Sequence, residues 1–288
     1  MKISKILLSM CCVAAFTACS NDDDVALPIA EQPHEMSFTV GSGADTRTTL
    51  DADGDKLTRV WKSGDKISVI YRIGEENHHE IFTLTDGAGT TSGTFYNATS
   101  MIPTTGTQYV HLQTPAGNVD GNWVKTSIAT QGDGSISSLG DYDILVGWNW
   151  AITDGVWPSK SLEVATSYLH IPTGLTLINN ATGEKTISKL VLSGTNVSNV
   201  YSRSFSGQGN SEEGDISLSN ISLKDGQLTS DLYIAFTRHG GNPEDVKLTL
   251  TIDSTDYVIE LNDPSAANIN NGYVYHVASS SIKTTPSM

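Results

Sequence analysis

The segment Val246-Lys247-Leu248-Thr249-Leu250-Thr251-Ile252 alternates apolar and polar side chains over its whole length. A period of two places the apolar side chains on one face of an extended chain, which is typical of a β-strand with one buried face. Beyond Asp253–Asp256 the alternation resumes with Tyr257, Ile259 and Leu261. The two runs together predict a β-hairpin.

The same alternation recurs earlier in the chain, and helical periodicity does not. The further runs are Met36, Phe38 and Val40; Ile67, Val69 and Tyr71; and Tyr142, Ile144, Val146 and Trp148. Gly, Asn and Asp separate such runs at intervals of roughly 8–12 residues, as in antiparallel sandwiches. Residues Ser265–Ile269 could form one helical turn at most. We therefore expect an all-β fold of antiparallel β-sandwiches.

Length and charge limit the organisation and the partners of the chain. Its 288 residues suggest about two domains, at roughly 100–200 residues each. All five tryptophans precede residue 158 and the composition changes near Trp157–Lys160, so we predict domains at 36–161 and 162–288. With 17 Lys and Arg against 32 Asp and Glu, the net charge is -15. This sign argues against nucleic-acid binding and against a polybasic membrane contact.

The first residues have the layout of an export signal. Lys2 and Lys5 precede an apolar run, 6–16, which is followed by small residues. The run is shorter than the ~20 residues that span a bilayer. We read 1–18 as a lipoprotein signal peptide because Cys19 resembles the acylated cysteine of a bacterial lipobox; plain secretion is the alternative. Residues 19–35 would form an acidic, polar tether, and their Asp run is either a surface-export signal or simply a solvated linker.

Motifs that suggest chemistry are weak. All three cysteines lie in the first 19 residues, so the folded part has no disulfide and no thiol nucleophile. Asp51–Asp55 begins like a calcium loop but lacks its Gly and Glu, and a surface turn is favoured. We expect His78-His79-Glu80 and Gly207–Gly209 to be loops, not a metal site and a phosphate loop. No catalytic residues, metal or cofactor are predicted.

Aromatic residues near the middle of the chain suggest a weak glycan-binding hypothesis. Aromatic rings at loops stack on sugars, and the residues concerned are Trp148, Trp150 and Trp157. However, Trp148 and Trp150 continue the parity of Ile144 and Val146, which favours packing in the core.

The stretch from Ser20 to Thr46 contains no Lys or Arg. Arg47 is therefore the first tryptic-type cleavage site after Cys19, and it follows a polar, Gly-containing segment suited to proteolysis. A cut between Arg47 and Thr48 would sever the strand of Met36, Phe38 and Val40 from the rest of the fold. Chance in a chain poor in basic residues is the alternative explanation.

Several segments, taken in order, carry a resemblance to a known family. They are Cys19; Met36-Ser37-Phe38-Thr39-Val40; Thr46-Arg47-Thr48-Thr49-Leu50; Val60-Trp61-Lys62-Ser63-Gly64-Asp65-Lys66-Ile67-Ser68-Val69; Tyr142-Asp143-Ile144-Leu145-Val146-Gly147; His170-Ile171-Pro172-Thr173-Gly174-Leu175-Thr176; and Asn271-Gly272-Tyr273-Val274-Tyr275-His276-Val277. They span nearly the whole chain after Cys19, and it resembles the Bacteroidete-type fimbrillins, the subunits of type V pili.

The resemblance implies two transthyretin-like sandwiches in tandem, export as a lipoprotein and cleavage at Arg47 by an arginine-specific protease. Cleavage would displace the first strand, and a strand from the next subunit would replace it. The C-terminal segment with Tyr273, Tyr275 and Val277 maps onto the donor strand, although its continuation, Ala278–Ser281, is polar.

Three hypotheses of function follow. The leading one is a non-enzymatic fimbrial subunit or subunit-like lipoprotein that supports adhesion. It would be anchored through Cys19 at the surface of the outer membrane, with other subunits, the protease and host or bacterial glycans or proteins as partners. The alternative is a monomeric glycan-binding surface lipoprotein. An unrecognised hydrolase is the third.

Overall fold

The structure, a computed structural model, describes residues 32–42, 60–262 and 271–288. In chain order the strands are β1 (His34–Gly41), β2 (Lys66–Ile73), β3 (Glu76–Asp86), β4 (Ser92–Ser100), β5 (Thr107–Thr114), β6 (Asn118–Asp120), β7 (Trp123–Ser127), β8 (Leu145–Thr153), β9 (Glu163–Val164), β10 (Ser167–Ile171), β11 (Glu184–Ile187), β12 (Lys189–Thr195), β13 (Val197–Ser204), β14 (Gly209–Glu213), β15 (Ile216–Leu218), β16 (Ile221–Lys224), β17 (Gln227–Leu228), β18 (Leu232–Arg238), β19 (Glu244–Ile252), β20 (Thr255–Leu261), β21 (Val274–His276) and β22 (Ile282–Thr284). The helices are α1 (Ile136–Leu139) and a 3-10 turn at Ser279–Ser281. The prediction of an all-β fold is confirmed.

The alternation that predicted the last hairpin corresponds to its buried face. In β19, Val246, Leu248, Leu250 and Ile252 are all buried. The hairpin to β20 turns through Asp253 and Ser254, both with positive φ, as a tight two-residue β-turn requires. The turn is shorter than the four residues expected, and the pairing of the two strands is as predicted.

The strands form four sheets. The first sheet has the order β1-β4-β3-β2-β5-β8-β9 and the second the order β21-β10-β18-β13-β7-β6, with β14 beside β13. The third sheet is β11-β16-β17 and the fourth is β15-β12-β19-β20-β22. Strand pairs are antiparallel except for β10 with β21, which run parallel. Strand β7 pairs with β13, across the predicted boundary at 161/162; the position of that boundary stays a prediction.

Two large clusters of apolar side chains form most of the core. One lies on the first sheet and contains Trp61, Phe82 and Phe95, whereas the other joins the second, third and fourth sheets and contains Ile234 and Leu248. Strand β8 contacts two clusters, because Leu145 packs into the first and Ile144 and Val146 into a smaller one beside the second sheet. This explains why consecutive residues of β8 are buried.

No helix among residues 32–42, 60–262 and 271–288 has both the length and the apolar character that a membrane crossing requires.

Candidate functional site

Strand β1 is held at the edge of the first sheet by its inward side chains. Met36, Phe38 and Val40 are buried, while Ser37 and Thr39, which alternate with them, are exposed. This is the pattern of a strand with one face on the core. The prediction that these three residues share a buried face is confirmed.

An aromatic cluster forms the surface on which β1 rests. The Phe38 ring stacks on Trp157 with centroids 4.0 Å apart and lies 5.2 Å from Phe82 and 5.9 Å from Phe95. The indole Nε1 of Trp61 donates a hydrogen bond to the Val40 carbonyl at 3.3 Å. We call this surface, formed by Trp61, Phe82, Phe95 and Trp157, the β1 groove. Trp157 therefore packs under β1 and not at a glycan-binding edge.

The backbone of β1 is paired mainly on one side. It pairs with β4 from His34 to Gly41, and the first sheet ends at β1 within the described ranges. On its other side, the Gly41 carbonyl accepts from the Leu162 amide at 3.0 Å. A Cβ on Gly41 would lie 2.4 Å from the Ser161 hydroxyl, so glycine permits this close approach. The edge of β1 is thus connected to the later chain at one point.

A β-bulge in β8 lies between Gly147 and Trp150 and separates the orientations of Trp148 and Trp150. The register between β5 and β8 shifts between Val110 and Leu112, and Asn149 has a φ of 47°. Bulges insert one residue into a strand and turn the following side chains to the opposite face. Trp150 consequently packs in the first cluster with Leu145 and Ile152 and is 3% exposed, whereas Trp148 lies outside the core and is 41% exposed. The prediction that both are buried was wrong for Trp148, and the burial of Trp150 leaves no ring face for a sugar.

A buried arginine lies under the exposed indole. The guanidinium carbon of Arg203, in β13, is 3.1 Å from the centre of the Trp148 ring, and Arg203 is fully buried. Its Nη2 donates to the Tyr201 hydroxyl at 2.6 Å and its Nη1 to the Gly207 carbonyl at 3.2 Å. Burial lowers the pKa of Arg203 to about 10. A cation over an aromatic face is attracted by the ring quadrupole, so Arg203 fixes the position of the indole.

His111 supports the bulge from β5. The Asn149 amide donates to its Nδ1 at 3.1 Å. Burial, reinforced by the charge of Arg203, lowers the pKa of His111 to about 4, so the imidazole is neutral at pH 7. No sequence pattern indicated Arg203, which lies within a polar run, or His111, whose contact with Asn149 comes from another strand.

The other predicted motifs carry no chemistry in the structure. His78 and His79 lie within β3 and not in a loop; His78 stacks on Tyr71, and the His79 Nε2 is 2.9 Å from the Ser68 hydroxyl. The part of the chain that is described contains no group of three metal-ligating side chains. Gly207 lies in the turn between β13 and β14, as expected of a loop.

The C-terminal segment is bound within its own chain. Strand β21 pairs in parallel with β10, so that His276 is opposite His170, and their Nδ1 atoms are 2.8 Å apart. Val277 is buried and Tyr275 half-buried, while Tyr273 is exposed. These three residues, named as a donor strand, therefore do not share one buried face here.

Cys19, Arg47, Thr48, Asp51–Asp55 and Ser265–Ile269 lie outside the described residues.

Comparisons with known proteins give distant likenesses. No family model and no curated protein matches the chain. Among solved structures, a proposed cell adhesion protein of Bacteroides uniformis is 14% identical, with a TM-score of 0.47 over 81% of this chain and 96% of that chain. A fimbrial assembly protein of Parabacteroides distasonis is 10% identical, with a TM-score of 0.37 over 87% of this chain and 93% of its own. The tip fimbrial protein of Porphyromonas gingivalis with a C-terminal truncation is 10% identical, with a TM-score of 0.34 over 84% of this chain and 92% of its own. Likenesses at this distance assign neither a family nor a function to this chain.

Proposed function

We propose that the chain is a non-enzymatic structural subunit, or subunit-like surface lipoprotein, of type V fimbriae and that it polymerises by exchange of its first strand after proteolysis. The motif resemblance from Cys19 to Val277 suggests this role. The observation that carries it is the placement of β1, which is an edge strand with three core side chains.

Release of β1 would uncover an apolar site of defined shape. Burial of side chains such as Met36, Phe38 and Val40 is worth ~1.5–3 kcal/mol each. Without them the aromatic rings of the β1 groove and the free edge of β4 would face water. Such an edge is a template for a strand from another chain. A strand with apolar side chains at alternate positions would restore both the pairing and the core.

Covalent connection explains why an uncut subunit would stay monomeric. Residues 43–59 join β1 to Val60, and Arg47 lies in this segment. While the segment is intact, β1 competes for its groove at a high effective concentration. A cut after Arg47 removes this advantage. Because the donor and acceptor surfaces differ, the contact is head-to-tail and produces a filament.

The incoming strand is proposed to come from the C-terminal segment, with Tyr273, Tyr275 and Val277. In the structure this segment is paired with β10, so donation requires that β21 detach first. The lipid on Cys19 would anchor the precursor in the outer membrane, with the fold at the cell surface. The arginine-specific protease and neighbouring subunits are the proposed partners.

A reversible disulfide across β1 and β4 tests the mechanism. Thr39 and Thr94 are exposed cross-strand partners with hydroxyls 2.9 Å apart, close enough for a disulfide between cysteines at these positions. The Thr39→Cys/Thr94→Cys protein, cut at Arg47, should stay monomeric until a reductant is added and then form oligomers. The Thr39→Cys single variant should assemble with or without a reductant. Assembly of the oxidised double variant as fast as wild type would refute strand exchange at β1.

The cleavage site has a matched control within the same connecting segment. Arg47→Ala should accumulate as an uncut monomer, whereas Arg59→Ala, 12 positions later (59 − 47), should be processed and assemble normally. The new N-terminus of the processed protein should be Thr48. If Arg59→Ala blocks processing and Arg47→Ala does not, the assigned cleavage site is wrong.

A further inference from the structure

A polar cleft opens beside the exposed face of Trp148. Its volume is about 440 Å³, which is in the range of small-molecule sites. The lining includes Trp148, Glu163 at the start of β9, Asn210 in β14, Arg238 at the end of β18, and Asn271. The cleft therefore lies where the first and second sheets meet, far along the chain from β1.

The indole is held flat against β14 as well as against Arg203. A Cβ on Gly209 would lie 2.7 Å from the Trp148 Cη2, so only glycine allows the ring to lie this close to the strand. One face of the ring is covered by the Arg203 guanidinium, yet 41% of the residue is exposed. The face opposite Arg203 and the ring edges remain to supply the exposed area, and Trp148 lines the cleft.

The support for Trp148 is costly for stability. A buried guanidinium loses its hydration, and Arg203 Nε has no hydrogen-bond partner. Glu163 attracts Arg203 at longer range, but among the described side chains no carboxylate forms an ion pair with it. Asn149 next to Trp148 has a positive φ of 47°, and Trp148 is a large apolar side chain left 41% exposed. Costly features that fix one exposed aromatic ring are characteristic of binding sites.

We propose that this cleft binds a neutral pyranose residue of an oligosaccharide, stacked by its C–H face on Trp148 and hydrogen-bonded through its hydroxyls to the polar lining. The face of an aromatic ring carries the negative part of its quadrupole and attracts partially positive hydrogens. A pyranose offers a flat C–H face for this contact and a rim of hydroxyls that both donate and accept.

The polar lining matches a neutral polyol better than an ion. Glu163 supplies an acceptor, Arg238 supplies donors, and the amides of Asn210 and Asn271 supply both. The Arg238 Nε is buried without a hydrogen-bond partner. Because the lining carries one charge of each sign, a strongly charged ligand would meet a repulsive group. Arg238 Nη2 already donates to Asn271 Oδ1 at 3.4 Å, and hydroxyls can complete the remaining hydrogen bonds of the lining.

Binding would be measured on the intact, uncut protein, first on an array of neutral and sialylated oligosaccharides and then by calorimetry with the neutral glycans retained. Trp148→Ala should weaken binding at least roughly tenfold. The matched control is Trp123→Ala in β7, a half-buried tryptophan outside the cleft lining, which should leave the Kd unchanged. Asn210→Ala should weaken binding by removing hydroxyl contacts.

A second variant separates a folding defect from the loss of a contact. Arg203→Lys keeps the charge but removes the planar stack, so affinity should fall although Arg203 does not line the cleft. Its folding would be checked by its urea midpoint. Absence of neutral-glycan binding at millimolar concentration, binding unchanged in Trp148→Ala, or retention of sialylated glycans alone would each overturn the proposal. Since the measurement uses the uncut monomer, its outcome is independent of strand exchange.

Discussion

Phe38 and Trp157 stack with their ring centroids 4.0 Å apart and their planes inclined by 20°. The first belongs to β1 and the second to the groove beneath it, so this pair is a principal anchor of the strand. Phe38→Ala should lower the free energy of unfolding by ~3–5 kcal/mol, as do other large-to-small changes in cores. Urea unfolding measures the effect. Ser37→Ala, on the exposed face of the same strand, should change the free energy of unfolding by less than about 0.5 kcal/mol. Equal effects of the two substitutions would show that Phe38 is not an anchor.

Acid should weaken the support of Trp148. The pKa of His111 is lowered from 6.5 to about 4 by burial and by Arg203. A depressed pKa means that the unfolded chain binds the proton more tightly, so the contribution of His111 to stability is complete above pH 6.5 and falls as the pH drops toward 4. Protonation at Nδ1 also removes the acceptor of the Asn149 amide. Urea titrations between pH 7.5 and pH 4 should show this loss of stability. In the His111→Gln variant, the free energy of unfolding should depend less on pH. An unchanged profile in the variant would contradict the assignment.

Acid should also loosen the C-terminal strand. Across β10 and β21, His170 Nδ1 and His276 Nδ1 share one hydrogen bond, which requires at least one neutral imidazole. Asp231, 3.6 Å from the other ring nitrogen of His170, favours protonation, while Tyr233 stacks on its ring. Burial, with the charge of His276, outweighs Asp231 and lowers the pKa of His170. The contribution of His170 is therefore present above pH 6.5 and declines below it.

Hydrogen exchange tests this directly. Amides of β21 should lose protection at pH 5 relative to pH 7.5, after correction for intrinsic rates, and β19 amides should not. His276→Gln should reduce the difference between the two pH values. Equal protection of β21 at both pH values would show that the imidazole pair does not control the pairing.

The turn of the last hairpin can be improved. Ser254 has a φ of 65°, a left-handed conformation that costs a non-glycine residue roughly 1–2 kcal/mol. Ser254→Gly should therefore raise the free energy of unfolding by about 1 kcal/mol, which would be measured as a higher urea midpoint. Ser254→Ala retains the Cβ and should not stabilise the protein. A gain in the alanine variant would point to the loss of the hydroxyl as the cause.

Regular alternation carried most of the information about the fold. In β19 and β20 the sequence pattern fixes both the buried face and the pairing, because each strand has one face on the core and a tight turn joins them. Strand β1 was predictable for the same reason. Strand β8 was not predictable in this way. Its two faces contact different clusters, so side chains at odd and even positions are both buried.

The Trp148 site depends on contacts that are distant in sequence. The bulge beside Trp148 is supported by His111 in β5, and the indole is held by Arg203 in β13. The local sequence pattern around Gly147–Trp150 gives no information about either of these two contacts. Parity placed Trp148 and Trp150 together on the face of Ile144 and Val146, whereas one inserted residue brings Trp150 to the cluster of Leu145.

Strand β1 is both outermost in its sheet and first in the chain among the described strands. Its departure requires none of the other described strands to move aside, although its contact with Leu162 must break, and β2, β3 and β4 keep all their other neighbours. The opening is therefore a local one, with a free energy that is a fraction of that of global unfolding. In the proposed exchange, a replacement strand would pair progressively along β4 from the solvent side, and the rest of the fold would not have to unthread.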